Sequence, residues 1–118
     1  MEITNPVTAN ALVQALGDSY SRKIMLATIP SPKSVEDLSK ENDIPLSTCY
    51  RRVHELVDAQ VLLIDRIIVT NDGKRFELVR SAYKTVQVDL ENGVMKVNAL
   101  INEDMAEKLR RLWISMRE

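Results

Sequence analysis

The stretch SVEDLSKENDIPLSTCYRRVHELVDAQVL, residues 34–62, decides the fold. Ser34 with Asp37 three positions on approximates a capping box, with Asp in place of the preferred Glu or Gln, so a helix is expected to begin here. Val35 and Leu38 give that short helix an apolar side, and Asn42-Asp43 followed by Pro45 breaks it. Pro45 suits the first position of a second helix, where a missing amide proton costs nothing. At about 100° per residue, Leu46, Cys49, Val53, Leu56 and Val57 cluster on one face of that helix. Arg51 points nearly opposite, with Ser47, Thr48, Glu55 and Asp58 on the outward side and Tyr50, Arg52 and His54 on the flanks. The apolar stripe and the polar face separate, and the outward acids fall in the C-terminal half. Two short helices joined by a tight turn, the second with hydroxyls and guanidinia on its free face, describe a helix–turn–helix. Its second helix, about residues 45–59, suits a DNA major groove, where N-terminal residues meet base edges.

Working outward, Thr8 to Leu16 is expected to form a helix capped by Thr8 or Asn10. Asp18 or Ser19 would cap another, which buries Tyr20, Ile24, Met25 and Ala27 and stops near Pro30. On the other side, Leu62 to Thr70 is rich in β-branched residues, and Arg75 to Arg80 alternates with Phe76 and Leu78 on one face. Asn71-Asp72-Gly73-Lys74 joins them as a hairpin loop with the positive-φ positions such a turn needs. A second hairpin follows: Val86, Val88 and Leu90 alternate with Gln87 and Asp89, Asn92-Gly93 turns, and Met95 and Val97 return. The tail, Asn102 to Arg117, reads as an amphipathic helix capped by Asn102, with Glu103 and Asp104 in its first turn and Arg110, Arg111 and Arg117 towards its end. Its stripe of Met105, Leu109, Leu112, Trp113 and Met116 must find a partner surface, and dimerisation with a second copy is the favoured reading.

The expected fold is therefore α+β: a winged helix-turn-helix with a three-helix core and a β-hairpin wing at about 62–80, plus a second β-hairpin and a C-terminal amphipathic helix. Residues 1–82 form the winged-helix unit, and residues 83–118 form an extension packed on the same domain or on a dimer partner. A chain of 118 residues, 45% hydrophobic and 28% charged, is ordinary for a soluble globular protein. No apolar run approaches the roughly 20 residues of a membrane span. The first residues, MEITNPVTANALVQAL, lack the basic flank and continuous apolar run of a signal peptide. One cysteine allows no intrachain disulfide, so a cytoplasmic location is expected.

The net charge of −1 argues against binding nucleic acid through a large basic field, so the distribution of charge matters more than its sum. From Ser47 to His54 there are two basic residues and no acids. From Arg66 to Arg75, three basic residues (Arg66, Lys74, Arg75) stand against Asp72 alone.

Leu16-Gly17-Asp18, Arg22-Lys23-Ile24-Met25, the 34–62 stretch and NDGKRFELVRS at 71–81 occur in an order and spacing that resemble the ArsR-like winged-helix transcriptional regulators. The likeness is to their plain, non-metal-sensing archaeal-type members and covers roughly residues 12–82. The resemblance implies a symmetric homodimer on double-stranded DNA with a roughly palindromic site, and repression as the usual mode. It implies that Ser47, Thr48, Tyr50, Arg51 and Arg52 face DNA while the wing contacts phosphates. Lys33, Lys74 and Arg75 join the site as backbone-binding candidates. Many relatives carry Gly where Gln60 stands, because that helix end takes a left-handed conformation. Metal sensors carry paired cysteines in the supporting helix, and residues 35–41 have none.

Cys49 and His54 lie about 140° apart on a helix and have no second cysteine or histidine to join them, so no metal is expected. Burial would raise the Cys49 pKa and blunt its reactivity. The chain has no phosphate-binding glycine loop, zinc signature or nucleophile elbow, and neither catalysis nor a cofactor is expected. No effector is identifiable. The alternative reading is a winged helix for protein–protein assembly without DNA binding, which the outward Glu55 and Asp58 favour.

Overall fold

The computed structural model describes the backbone of residues 1–117 and the side chains of residues 1–115. The chain runs α1 (Pro6–Gly17), α2 (Ser19–Thr28), β1 (Lys33–Ser34), α3 (Val35–Asn42), α4 (Leu46–Asp58), β2 (Leu62–Val69), β3 (Arg75–Ser81), β4 (Tyr83–Glu91), β5 (Val94–Ile101), a 3₁₀ turn (Glu103–Met105) and α5 (Ala106–Arg117). One antiparallel sheet has the order β1-β3-β2 and the other pairs β4 with β5. The architecture is the mixed α+β winged helix that the pattern of residues predicts.

Side chains at the helix starts explain where the helices begin. Asn5, rather than Thr8 or Asn10, caps α1: its Oδ1 accepts from the amides of Val7 at 2.9 Å and Thr8 at 3.4 Å, with Pro6 opening the helix. Thr8 is instead buried, and its hydroxyl donates to the Ala59 carbonyl at 3.3 Å, tying α1 to the end of α4. Asp18 caps α2 as expected, accepting from the Ser21 amide at 3.0 Å. Ile24 and Met25 are buried there, whereas Tyr20 and Ala27 are only partly so. Ser34 caps α3 by accepting from the Asp37 amide at 3.1 Å.

Pro45 is the cap of α4, not its first residue; with ψ at 135° it lies outside the helix. That shift makes Leu46 the first helical residue, 48% exposed, and it drops out of the apolar stripe. Cys49, Val53 and Leu56 carry the buried face, with Val57 half-buried. The end of α4 is a Schellman turn: Gln60 (φ 62°) donates to the Val57 carbonyl at 3.0 Å and Val61 to Leu56 at 2.9 Å. The left-handed residue implied by the resemblance is present, with Gln in place of Gly.

One buried cluster runs through both halves of the chain, from Leu12, Ile24, Leu38 and Leu56 to Val79, Tyr83, Val97 and Leu109. In β3 the core side is Val79 and Ser81; Phe76 and Leu78 share the opposite face, and Phe76 is 37% exposed. Alternation separates the two faces of a strand without saying which meets the core.

The expected dimer stripe on α5 is largely consumed within the chain. Met105 and Leu109 are 2% and 0% exposed, and Trp113 is half-buried. Leu112 remains exposed, and the Met116 side chain lies outside the described residues. Asn102 caps the 3₁₀ turn, accepting from the Asp104 amide at 3.3 Å, and its amide nitrogen donates to the carbonyls of Ile29 and Ser81, both at 3.1 Å. Arg80 bonds the same Ile29 carbonyl at 3.2 Å and Asp104 at 2.7 Å. Lys108 on α5 donates to the Ile64 and Asp65 carbonyls at the point where the β2 register slips, so α5 braces the root of the wing. Among the described residues no helix is long and apolar enough to cross a membrane.

Candidate nucleic-acid interface

The outward side of α4 presents Ser47, Tyr50 and Arg51 to solvent, with Thr48 half-buried beside them. Arg51 makes no hydrogen bond or ion pair with any described residue. Its neighbour is differently placed. Arg52 Nε lies 2.8 Å from Asp18 Oδ2 and its Nη1 3.9 Å from Glu55, with the side chain 26% exposed. Asp18 therefore joins the α1–α2 corner to α4, and its Oδ2 also accepts from the Ser21 hydroxyl at 2.7 Å. The Ser21 hydroxyl first, and the Arg52 guanidinium next, hold the Asp18 carboxyl down at about 2, against the opposing effect of burial. Lys33 is likewise occupied, 3.2 Å from Glu41.

The wing tip is ordered by its own loop. Thr70 donates its amide to the Lys74 carbonyl at 2.8 Å and its hydroxyl to the Asp72 carboxylate, while Gly73 (φ 84°) donates to the Thr70 carbonyl at 3.0 Å. The Thr70 hydroxyl, followed by the Lys74 amide, lowers the Asp72 pKa. Asp72 is thus engaged inward, and Lys74 and Arg75 stand exposed with no acid partner among the described residues.

A groove of about 690 Å³ separates α4 from the wing. Tyr50 and Arg75 line it from opposite sides, over an apolar floor that includes Val53, Val57, Ile64 and Ile67. Glu36, Asp58 and Glu77 also line it, and Asp58 sits 3.2 Å from His54. The arrangement brings Tyr50 and Arg75 to one groove, with Arg51 following Tyr50 on α4 and Lys74 preceding Arg75 at the wing tip, while Arg52 and Lys33 are held by carboxylates. Sequence reasoning saw Asp18 as a helix cap and missed it as the anchor of Arg52, because residues 34 apart leave no local signal. Cys49 is fully buried with its thiol 3.5 Å from the Val35 carbonyl, and burial pushes its pKa up. No group of three or more His, Cys, Asp or Glu able to hold a metal occurs among the described residues.

Comparison with known families matches residues 6–64 to the helix-turn-helix domain. The chain belongs to that helix-turn-helix domain family. The matched segment of this helix-turn-helix protein begins at α1, includes α2, α3 and α4, and ends three residues into β2. It contains the support helices and the α4 face, and a domain of this kind points to a DNA-binding regulator. No curated protein matches the sequence.

Proposed function

We propose that this protein is a non-enzymatic, sequence-specific transcriptional regulator of the ArsR-like, non-metal-sensing archaeal type, acting as a homodimeric repressor. The observation that carries the reading is the distribution of cations: Arg51 on α4 and Lys74 and Arg75 at the wing are exposed without acid partners among the described residues. In this reading α4 enters the major groove and Arg51 offers its bidentate donors to base edges. Ser47, Thr48 and Tyr50 assist it, and Lys74 and Arg75 bind phosphates. Arg52 acts as a strut that orients α4, because its guanidinium is engaged by Asp18.

Selection of bound duplexes from a random DNA pool tests this directly. A recovered sequence with two half-sites about one helical turn apart is the expected result. On that duplex Arg51→Ala should cost about 1–3 kcal/mol and relax sequence preference. Equal affinity of wild type and Arg51→Ala overturns the base-reading role.

The apolar floor of the α4–wing groove, with Glu36, Asp58 and Glu77 among its lining, favours the second reading, a protein-assembly module. Absence of any gel shift at low salt supports that reading over the first.

A further inference from the structure

The second hairpin has one covered edge and one open edge. On the far side of β5, the chain's own first residues close the ladder: Ile3 donates to the Val97 carbonyl at 2.8 Å and Ala99 donates to the Met1 carbonyl at 2.9 Å. Val97 and Ala99 thus point their backbone groups away from β4. Their cross-strand neighbours are Val88 and Val86. By the alternation of an antiparallel ladder, Val86, Val88 and Leu90 point their own N–H and C=O groups away from β5. Among the described residues no strand pairs with that side of β4.

This edge carries few of the devices that keep edges single. It has no proline, and its one lysine, Lys84, is engaged by Glu103. The face made by Val86, Val88, Leu90, Met95, Val97 and Ala99 holds no ionisable side chain. Its root is covered, with Val97 and Ala99 both 3% exposed, and its tip is not: Leu90 is 80% and Met95 42% exposed.

We infer that β4 pairs antiparallel with the same strand of a second copy, making the hairpins one continuous sheet across a two-fold axis. The charge pattern selects the copy as occupant. With the axis through Gln87, Val86 lies opposite the partner's Val88, and each such pair exchanges both backbone hydrogen bonds. On the polar face Asp89 meets the partner's Thr85, and Gln87 meets the partner's Gln87, so no like charges are opposed. The Leu90 tip then extends an apolar face shared by the two copies. The α5 stripe offers less apolar surface, since Met105 and Leu109 are already buried in their own chain and Leu112 is the one exposed stripe residue among those described. The inference deepens the proposed function and rests on it for the need of a second copy, since a palindromic site is read by two.

Sedimentation equilibrium of the full chain tests it. Wild type should be a dimer. Val88→Pro removes an N–H that β5 does not use, so the hairpin should persist, while the dimer dissociation constant should rise at least about tenfold through lost backbone bonds. Leu90→Lys, at an exposed position, should weaken the dimer similarly and serves should Val88→Pro fail to fold. Leu112→Glu on α5 should leave the dimer intact. A monomeric wild type, or hairpin variants that dimerise as wild type does, overturns the interface. Gel shifts on a duplex with one selected half-site separate the two ideas. Half-site binding by a monomeric wild type keeps the DNA reading and removes the interface, whereas a hairpin-dependent dimer with no DNA binding does the reverse.

Discussion

The hairpin of β2 and β3 ends in Thr70-Asn71-Asp72-Gly73-Lys74 and Arg75, with its acid turned inward onto Thr70 and its two cations outward. The hairpin of β4 and β5 ends in a two-residue turn, Asn92 (φ 53°) and Gly93 (φ 74°), flanked by Asp89, Glu91 and the exposed Leu90 and Met95. Both are antiparallel ribbons rooted in the same buried cluster, and a single residue, Ala82, separates them in the chain. Their tips nonetheless differ in charge: the first presents Lys74 and Arg75, and the second presents Asp89 and Glu91 against Lys96 alone, beside exposed apolar side chains. Strand pairing depends on backbone, and partner choice on the side chains at the tip.

The largest expected effect strikes what the hairpins share. Tyr83 is 2% exposed at the junction of β3 and β4, and Tyr83→Ala should cost about 3–5 kcal/mol, measured by denaturant unfolding. One cooperative transition by both fluorescence and circular dichroism is expected; separate transitions would show the hairpins to be independent.

Asp18→Asn comes next, at roughly 1–2 kcal/mol after allowance for its partial exposure. With its pKa held at about 2, below its ordinary 3.8, Asp18 contributes stability above about pH 4 that is lost as pH falls towards 2. The variant should therefore show a shallower loss of stability across that window. It also releases Arg52 beside Arg51, so non-specific DNA binding should rise and sharpen the contrast between the cationic α4–wing face and the acidic second tip.

Lys74→Ala should weaken binding to all DNA sequences alike and reduce the salt slope by about one unit. Asp89→Ala on the other hairpin should leave single half-site affinity unchanged. Equal effects of the two changes on a salt titration would erase the distinction between the tips.

Gly73→Ala and Gly93→Ala are the mildest changes. Each added Cβ meets nothing within 4 Å, so the cost is that of a left-handed alanine, about 1 kcal/mol, in either turn.

Much of this was legible in the residues because it is local. Asp18, Ser34 and Asn102 cap helix starts through amides within three residues, and the turn at Gly73, like the one at Asn92-Gly93, lies where a positive φ was required. The separation of Arg51 from the Cys49–Val53–Leu56 stripe follows from helical period alone. Local reasoning sets the start of α4 one residue early, at Pro45, because proline favours the first helical position.

What the sequence by itself determined is the order of the helices and hairpins, the caps of α2 and α3 and the side of α4 that faces solvent, since period and capping act over a few residues. Only the tertiary structure decided which charges remain available and which apolar faces remain open. Arg52 and Lys33 are paired with Asp18 and Glu41, Met105 and Leu109 are covered by their own core, and β4 keeps an edge that no described strand covers. Those outcomes depend on which distant groups meet once the layers pack. A periodic pattern fixes the direction of a side chain relative to its own helix or strand; it carries no record of what stands opposite.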